Sequence, residues 1–377
     1  MEDNTPGEET CEHLELAIGR GTKEGYIDNL WEFSVSKWRI TPASHIENLL
    51  KKQQYAAKRK KNVTDDEAMP PLNGPLLVCE PNLGNIPIAN AIYFGSTLDV
   101  VEFMFSLSHE YSMKWRDNQF GMNLLHLSSC QAKSTGKHEL IPYLLYEFGF
   151  RYANLTVATG QWNNFALNKR GQSPLCVASD EKSREMLLHP VDTIKSYIRA
   201  LVKEDISSGM VNSLHEKCPA KWQKTSSKHV VRLLRLFGNT SDSEGALNQA
   251  GAEYGWLPIM CAVAGGASLK IVKYMYRQNK INSREFRAPS DGTHLVHTAV
   301  LHKQTHLLPY LVKKFGGGRK LLALRDSRGK SALKMAMTMK YFEAIDILEA
   351  DFDSDSDVPS DDDGDSFSAF FMELFCG

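Results

Sequence analysis

The sequence predicts an all-α protein in which short helix-turn-helix units stack side by side as an α-solenoid, and three observations support this prediction. A glycine-led phrase recurs in one register six times, beginning at Gly84, Gly121, Gly171, Gly255, Gly292 and Gly329. Three of the five intervals between these glycines are 37 residues long, and a fixed period is typical of repeat architectures. An apolar segment with helical spacing also follows most of the phrases.

Residues 1–62 precede the first phrase and are predicted to form a helical cap. Residues 12–62 carry apolar side chains at helical spacing, and the segment 41–44 supplies an N-cap and a proline for a further helix. The apolar positions are Leu14, Ala17, Ile18, Ile27, Leu30, Trp31, Val35 and Trp38. A terminal unit of a stack is apolar on one side only, so we expect this region to close the open end of the stack.

Four cations end the cap, at Lys58, Arg59, Lys60 and Lys61. They stand beside a polar, proline-bearing linker, assigned to residues 63–78, and this arrangement matches a nuclear-import signal. The alternative is a solvated helix end, where positive charge is favourable at the helix C-terminus. The sequence leaves both interpretations open.

Each glycine-led phrase predicts a tight turn that leads into a short helix. Glycine adopts the positive φ that such a turn requires, and a proline three residues later, as at Pro87, Pro174 and Pro258, suits the first helical turn. The eighth residue of every phrase is small, which lets a neighbouring helix approach closely. Second, one-faced helices are expected near Leu98, Leu140, Leu269, Leu307 and Phe342.

In these phrases the chain resembles the ankyrin-repeat proteins, whose units combine a β-turn, a threonine-proline-leucine-histidine helix start and a second helix. His126 and His297 stand at the family's histidine place, where the side chain commonly hydrogen-bonds between adjacent turns. Asn118, Asn168 and Asp326 stand at its polar place, three residues before the glycine. Threonine-proline itself is absent, and the interval of 37 residues exceeds the family's period of about 33. The resemblance therefore indicates a divergent array.

The array is assigned to residues 79–350 and is interrupted by an irregular stretch at residues 190–245. The 84-residue interval in this region hides either one decayed unit or an inserted helical pair. The resemblance implies an adaptor or scaffold that binds an unknown partner protein through a concave face of turn tips and inner helices. It implies no cofactor and no small-molecule substrate. The tip residues expected to contact the partner are Phe120, Lys169, Arg170, Tyr254 and Arg328.

Residues 351–377 form an acidic tail that holds eight aspartates and Glu373 but no lysine or arginine. Like-charge repulsion predicts a disordered segment. Because the whole chain has a formal charge of −1, a tail of −9 leaves +8 for the remainder. Three interpretations follow: the basic body binds an acidic partner, the tail lies on the body and competes with that partner, or the tail is solvated and only maintains solubility. Serines that precede aspartate match acid-directed kinase sites, at Ser354, Ser356 and Ser360.

The last residues of the tail carry an aromatic stripe with the spacing of one helix face. A helix this short does not persist alone in water, so the segment is expected to need a groove. It resembles acidic-aromatic peptides that dock into partner clefts, including transcriptional activation segments. The alternative is that it packs on the last repeat of its own array. The stripe consists of Phe367, Phe370, Phe371, Leu374 and Phe375.

Composition and motifs exclude several classes of function. The chain is 42% hydrophobic and 24% charged without an apolar run of bilayer length, which predicts a soluble cytoplasmic protein, with the nucleus as a second location. Seven cysteines without a C-x-x-C pair favour free thiols. The densest histidine group lacks a complete ligand set, so no metal is expected, and no catalytic constellation predicts an enzyme. These histidines are His294, His297, His302 and His306.

Two classes of function follow from these features. The first is the protein-interaction adaptor, whose binding the acidic tail would modulate. The second is a nuclear transcriptional regulator that enters through the basic cluster and recruits partners through its tail, with direct nucleic-acid binding as a less favoured variant. Deleting residues 351–377 separates the two classes, because an adaptor keeps its principal partner whereas a tail-driven recruiter loses it.

Overall fold

The chain is mostly helical over the residues that the computed structural model describes, which are 6–60, 74–79, 84–156, 167–237, 243–252, 255–314 and 324–350. In these ranges the β-structure is limited to one isolated bridge, between Arg325 and Ser331. The predicted all-α class is therefore confirmed. None of the described helices is long and apolar enough to cross a bilayer. The chain divides into two compact units, the first ending at Tyr197 and the second beginning at Ile198.

The first unit contains three helices before the first glycine turn and helix pairs after it. Its described helices are α1 Pro6–Lys23, α2 Val35–Ile40, α3 Ala43–Lys60, α4 Pro87–Phe94, α5 Leu98–Lys114, α6 Leu124–Thr135, α7 Leu140–Thr156, α8 Pro174–Val177, α9 Glu181–Leu188 and α10 Pro190–Ser207, which crosses the boundary. A short 3₁₀ turn, Gly74–Leu77, precedes the first glycine turn.

The second unit has a similar order of elements. Its described helices are α11 Pro219–Lys224, α12 Ser227–Phe237, α13 Ser243–Asn248, α14 Pro258–Ala264, α15 Leu269–Gln278, α16 Lys280–Glu285, α17 Leu295–Leu301, α18 Leu308–Lys314, α19 Ala332–Thr338 and α20 Phe342–Ala350. Helix α13 lies before its first glycine turn, and α16 is an additional helix after the first helix pair. A 3₁₀ turn, Thr305–Leu307, leads into α18. The second helices of the repeats thus begin at or next to the positions that the apolar spacing predicts.

The six phrase glycines all adopt a left-handed backbone, with φ between +64° at Gly255 and +75° at Gly329. This conformation is open to glycine and strained for other residues, which explains the recurring residue. Proline occupies the first turn of α4, α8 and α14, as predicted. The turn-to-helix interpretation of the phrase is therefore confirmed.

The first helices of successive repeats pack against one another within each unit. In the first unit α4 packs on α6 and α6 on α8, and in the second unit α14 packs on α17 and α17 on α19. The small eighth residues are buried at these contacts, from fully buried Ala91 to Ala178 with 4% exposure. Burial of a small side chain lets two helix backbones approach, as the sequence predicted.

The N-terminal region is not helical throughout, in contrast to the prediction for residues 12–62. Helix α1 ends at Lys23, and the chain runs as a loop to Ser34 because Gly25 takes a left-handed φ of +91°. Val35, predicted to face the core, is 44% exposed at the start of α2. Leu14, Ile18, Ile27, Leu30 and Trp38 are buried, so most of the predicted apolar positions are confirmed.

A set of buried hydrogen bonds joins this loop to α2 and α3. The Trp38 indole N–H donates to the carbonyl oxygen of Glu32 at 2.7 Å. The Thr41 hydroxyl oxygen accepts the backbone N–H of Ile27 at 3.1 Å, and His45 Nε2 donates to the Ile27 carbonyl oxygen at 2.9 Å. Because Trp38, Thr41 and Ile27 are fully buried, these bonds satisfy groups that water does not reach.

The same set recurs in the second unit at positions 184 residues later. The Trp222 indole donates to the Glu216 carbonyl oxygen at 2.6 Å, and the Thr225 hydroxyl accepts the Val211 N–H at 3.2 Å. His229 Nε2 donates to the Val211 carbonyl oxygen at 2.8 Å. We call residues 25–50 and 209–234 the first and second Trp-His modules.

The sequence agrees with this structural correspondence. Nine of the 26 residues in the first Trp-His module recur in the second, including the tryptophan, threonine and histidine. The helices that precede the modules, α1 and α10, are each 18 residues long and begin with proline. Within the irregular stretch, helices α10, α11 and α12 therefore correspond in order and in hydrogen bonding to α1, α2 and α3. The second unit repeats this part of the first.

Candidate partner-binding turns

Several of the glycine turns are held by a polar side chain that accepts backbone N–H groups. Asn168 Oδ1 accepts the N–H groups of Arg170 at 2.9 Å and Gln172 at 3.0 Å. Asp326 Oδ1 does the same for Arg328 at 3.0 Å and Lys330 at 2.7 Å. The polar place assigned to Asn168 and Asp326 is thus occupied by the side chain that fixes the turn.

In the turn before Gly121 this role belongs to Asp117, so the assignment to Asn118 is wrong. The Asp117 carboxylate accepts the N–H groups of Gln119, Phe120 and Met122 at 2.9, 2.6 and 2.5 Å. The reason is the length of the turn. The Gly121 N–H bonds to the carbonyl oxygen four residues back, whereas the Gly171 N–H bonds to the one three residues back.

Adjacent turns are joined by backbone hydrogen bonds in one register. The Lys169 N–H donates to the Phe120 carbonyl oxygen at 2.7 Å in the first unit. The Ser327 N–H donates to the Asp291 carbonyl oxygen at 2.8 Å in the second. In both cases the donor residue lies two positions before the phrase glycine of its own turn. The acceptor residue lies one position before the phrase glycine of the previous turn. Each turn therefore holds the next one at a fixed distance and orientation.

Two buried histidines strengthen the same connection. His126 Nε2 donates to the Gln172 carbonyl oxygen at 2.9 Å, and His297 Nε2 donates to the Lys330 carbonyl oxygen at 3.0 Å. Because a carbonyl oxygen only accepts, Nε2 carries the proton in both rings. Both acceptors directly follow a phrase glycine, so the hydrogen bond between adjacent turns that we expected for this histidine place is present.

Three of the predicted contact residues lie together at the tips of two joined turns. The Arg170 guanidinium stands over the Phe120 ring, 5.0 Å from its centroid, which is cation–π geometry. Lys169 Nζ donates to the carbonyl oxygen of Asn118 at 2.5 Å. Lys169 and Arg170 are exposed, whereas Phe120 is half-buried. We call these three residues the first tip cluster.

The other predicted sites are placed differently. Arg328 is exposed on the turn of the second unit that is joined to Asp291. Tyr254, the tail stripe and the three serines proposed for phosphorylation lie outside the described residues. Lys58, Arg59 and Lys60 are the last residues of α3, and Lys61 lies outside the described part of the chain.

The histidine group at residues 294–306 has structural roles in the second unit. His294 is the N-cap of α17, where Nδ1 accepts the Val296 N–H at 3.1 Å, and burial lowers the pKa of His294 to about 2. Burial also lowers the pKa values of His297 and His302. His306 Nε2 donates to the Ala267 carbonyl oxygen at 3.1 Å. The described residues contain no group of three side chains that could hold a metal.

Charge is divided unevenly between the two units, which the chain total conceals. Residues 1–197 hold 20 Lys and Arg against 24 Asp and Glu, a net charge of −4. Residues 198–350 hold 24 Lys and Arg against 12 Asp and Glu, a net charge of +12. The positive charge that the sequence assigned to the chain before the tail therefore comes entirely from residues 198–350. This asymmetry becomes visible when the charges of the two units are counted separately.

No protein-family model matches the chain, and no curated protein is significantly similar to it.

Proposed function

We propose that this chain is a protein-interaction adaptor built as a divergent ankyrin-like α-solenoid, and that its partner contacts the turn tips and the inner helices. The observation that carries the proposal is the hydrogen-bonded register of the turns. The same backbone donor, the same backbone acceptor and the same histidine bridge recur in both units. A row of turns fixed in this way is a preorganised binding edge, which lowers the entropy lost on association.

The first tip cluster gives this edge its chemistry. Arg170 offers a planar guanidinium held over Phe120, and the aromatic ring is only half-buried. Arginine and aromatic side chains are enriched among residues that dominate binding energy. The cluster therefore suits a partner that presents a carboxylate next to an apolar side chain, because Arg170 can pair with the first while Phe120 contacts the second.

The second unit offers a different tip. Arg328 occupies the place that corresponds to Arg170, but the residue that corresponds to Phe120 is Asp291. A cation beside a carboxylate has less tendency to bind an acidic partner than a cation beside a ring, because the carboxylate repels it. We therefore assign the contact with an acidic partner to the first tip cluster, and we treat Arg328 as a separate tip of the second unit.

The experiment compares full-length variants by affinity purification with quantitative mass spectrometry of the retained proteins. The test variant is Arg170→Glu combined with Phe120→Ala. The control is Arg184→Glu on α9, an arginine with 52% side-chain exposure that lies away from the turns. A partner that the wild type and the control retain, and that the test variant loses by about tenfold or more, supports the proposal.

The proposal is overturned if every retained protein binds the test variant as well as the wild type. A parallel chain that lacks residues 351–377 separates the two classes of function. An adaptor keeps the partner that depends on Arg170, whereas a tail-driven recruiter loses its partner on deletion and is unaffected by the tip variant. Far-ultraviolet circular dichroism of each variant shows whether the helices are intact before binding is compared.

A further inference from the structure

The outer face of the first unit, formed by α5 and α7, is contacted by the helix that follows the third repeat. The Tyr197 hydroxyl of α10 donates to Glu102 Oε1 on α5 at 3.1 Å. Its ring stands edge-on to Tyr146 of α7, with centroids 5.9 Å apart. Helix α9 itself packs on α7, so the chain is led back toward this face by the end of the third repeat.

The second unit has the corresponding face on α15 and α18. Residues 140–149 and 307–316 share six of ten residues, including Tyr143 and Tyr310. Tyr143 meets Phe105 edge-on with centroids 5.8 Å apart, and Tyr310 meets Tyr276 edge-on at 6.0 Å. The same ring contact at the same place shows that the two faces are equivalent.

The surface charges on the two faces differ in sign on the first of these helices. Lys270 and Lys273 on α15 stand where α5 has Asp99 and Glu102. Lys314 on α18 stands where α7 has Glu147, which is buried beside His109 at 3.4 Å. Lys273 Nζ lies 5.6 Å from the centroid of the Tyr310 ring. We call the cationic side chains of this surface the basic outer face, which consists of Lys270, Lys273, Arg277, Lys313 and Lys314.

These five cations share one side of two neighbouring helices. Positions 270, 273 and 277 are three and four residues apart, so they line one face of α15. Arg277 and Lys313 are exposed, and Lys270, Lys273 and Lys314 are half-buried. An array of like charges with this spacing raises the local potential and attracts an extended polyanion rather than a single ion.

The chain supplies such a polyanion at the matching place in its order. In the first unit α9 is followed by α10 after one residue, whereas in the second unit α20 is followed directly by Asp351. Residues 351–365 contain eight aspartates and no cation. Helix α20 packs on α18, so this segment begins beside the basic outer face. Fifteen residues extend over about 50 Å at most, which is ample for the two helices.

We infer that residues 351–365 dock on the basic outer face of the second unit, at the place where α10 contacts the first. In the first unit the contact is made by the Tyr197 side chain of α10, whereas in the second unit it is made by carboxylate–ammonium pairs. A short tether gives an effective concentration in the millimolar range, so weak individual pairs are sufficient. Phosphate on Ser354, Ser356 or Ser360 adds negative charge and strengthens the contact.

The experiment is zero-length carbodiimide cross-linking of the full-length monomer, followed by mass spectrometry. This reagent joins an aspartate directly to a lysine amine. Lys334 and Lys340 of the third repeat are exposed and serve as internal controls. We expect cross-links from residues 351–365 to Lys270, Lys273, Lys313 and Lys314 to exceed those to the controls by about fivefold. At about 1 M salt this excess should disappear, because the Debye length then falls to about 3 Å and the attraction between tail and lysines is screened.

Two variants separate this docking from general charge attraction. Lys273→Gln with Lys313→Gln should lower the cross-links at Lys270 and Lys314, whereas Lys334→Gln with Lys340→Gln should leave them unchanged. The inference is overturned if cross-links follow lysine exposure alone, if they occur only in a dimeric fraction, or if both variants behave alike. Thermal unfolding of each variant is measured in parallel, and a variant with a lowered midpoint is replaced by one with methionine at the same positions, which removes the charge but keeps an unbranched apolar side chain.

Discussion

The Ser327 backbone N–H donates to the Asp291 carbonyl oxygen at 2.8 Å, and Gly292 is the residue that follows this acceptor. A Cβ atom at Gly292 would stand 2.7 Å from the Ser327 nitrogen, closer than real Cβ contacts allow. At Gly329 no described atom lies within 4 Å of the same position. Residue 292 therefore has to be glycine both because its φ is positive and because a Cβ atom would collide with the next turn. At residue 329 only the positive φ requires glycine.

We expect Gly329→Ala to cost about 1 kcal/mol, the strain of an alanine at positive φ. Gly292→Ala should cost about 1 kcal/mol more, because the bond between the turns is also broken. Urea unfolding of both variants measures the difference. Equal losses for the two variants would show that the contact between turns adds nothing to stability.

Lys303 and Lys340 are in the left-handed region, with φ of +54° and +53°, at the place where the first repeat of each unit has glycine. Those glycines, Gly95 and Gly266, have φ of +79° and +70°. We expect Lys303→Gly and Lys340→Gly each to stabilise the chain by about 0.5 kcal/mol, because the relief of strain exceeds the added entropy of the unfolded chain. Lys334→Gly within α19 is the control and should destabilise by about 1 kcal/mol. A loss of stability at residue 303 or 340 would contradict this account.

The two Trp-His modules predict matched effects of one substitution. Thr41→Val and Thr225→Val keep the shape of the side chain but leave the buried N–H of Ile27 or Val211 without its acceptor. Each variant should lose about 1 to 3 kcal/mol of unfolding free energy, and the two losses should be similar. Thr338→Val is the control, since that exposed hydroxyl donates only to a helix carbonyl oxygen at 2.7 Å. Differential scanning calorimetry reports all three changes, and a loss at one module alone would contradict their equivalence.

One difference between the helices that precede the two modules predicts a pH dependence. Asp205 Oδ2, on the helix before the second module, accepts from His229 Nδ1 at 2.8 Å and from Arg232 at 2.7 Å, whereas Gly21 stands at the corresponding place before the first module. Burial alone would raise the pKa of Asp205, but the hydrogen bonds from His229 and Arg232 outweigh it and lower the pKa. The carboxylate therefore stabilises the fold above its unfolded pKa of about 3.9, and this stability is lost as pH falls through the lower folded pKa.

We expect Asp205→Asn to be destabilising at pH 7 and progressively less so as the pH falls below about 4. Urea midpoints measured between pH 7 and pH 3 provide the test. Asp346→Asn, at an exposed position in the middle of α20, is the control and should show no such trend. A loss for Asp205→Asn that is constant across this range would refute the assignment of stability to the ionised carboxylate.

The local pattern of the sequence predicted the fold class and the turns, because each depends on residues close together in the chain. Gly121 and Gly171 have the predicted conformation, and Pro87 and Pro174 begin the predicted helices. The choice between Asp117 and Asn118 was not accessible, since it depends on the length of one turn. Two adjacent polar residues fit the pattern equally well.

The correspondence between the two Trp-His modules is visible in the sequence, but the glycine-led phrase that predicted the fold does not include it. The glycine phrase is absent from the Trp-His modules, so a search along that phrase passes over them. The combination of Trp38, Thr41 and His45 recurs at identical spacing and would have revealed the correspondence. The alignment of the two units is also needed to see that the charge of the outer face differs between them. Without it, nothing in the sequence distinguishes Lys273 from the other lysines.

The recurrence of one hydrogen-bond set 184 residues along the chain gives every experiment on this set an internal reference. A substitution at Trp38 or His45 can be compared with the same substitution at Trp222 or His229 in the same protein and under the same conditions. A difference between the two effects then reports the surroundings of each set and not the bonds themselves.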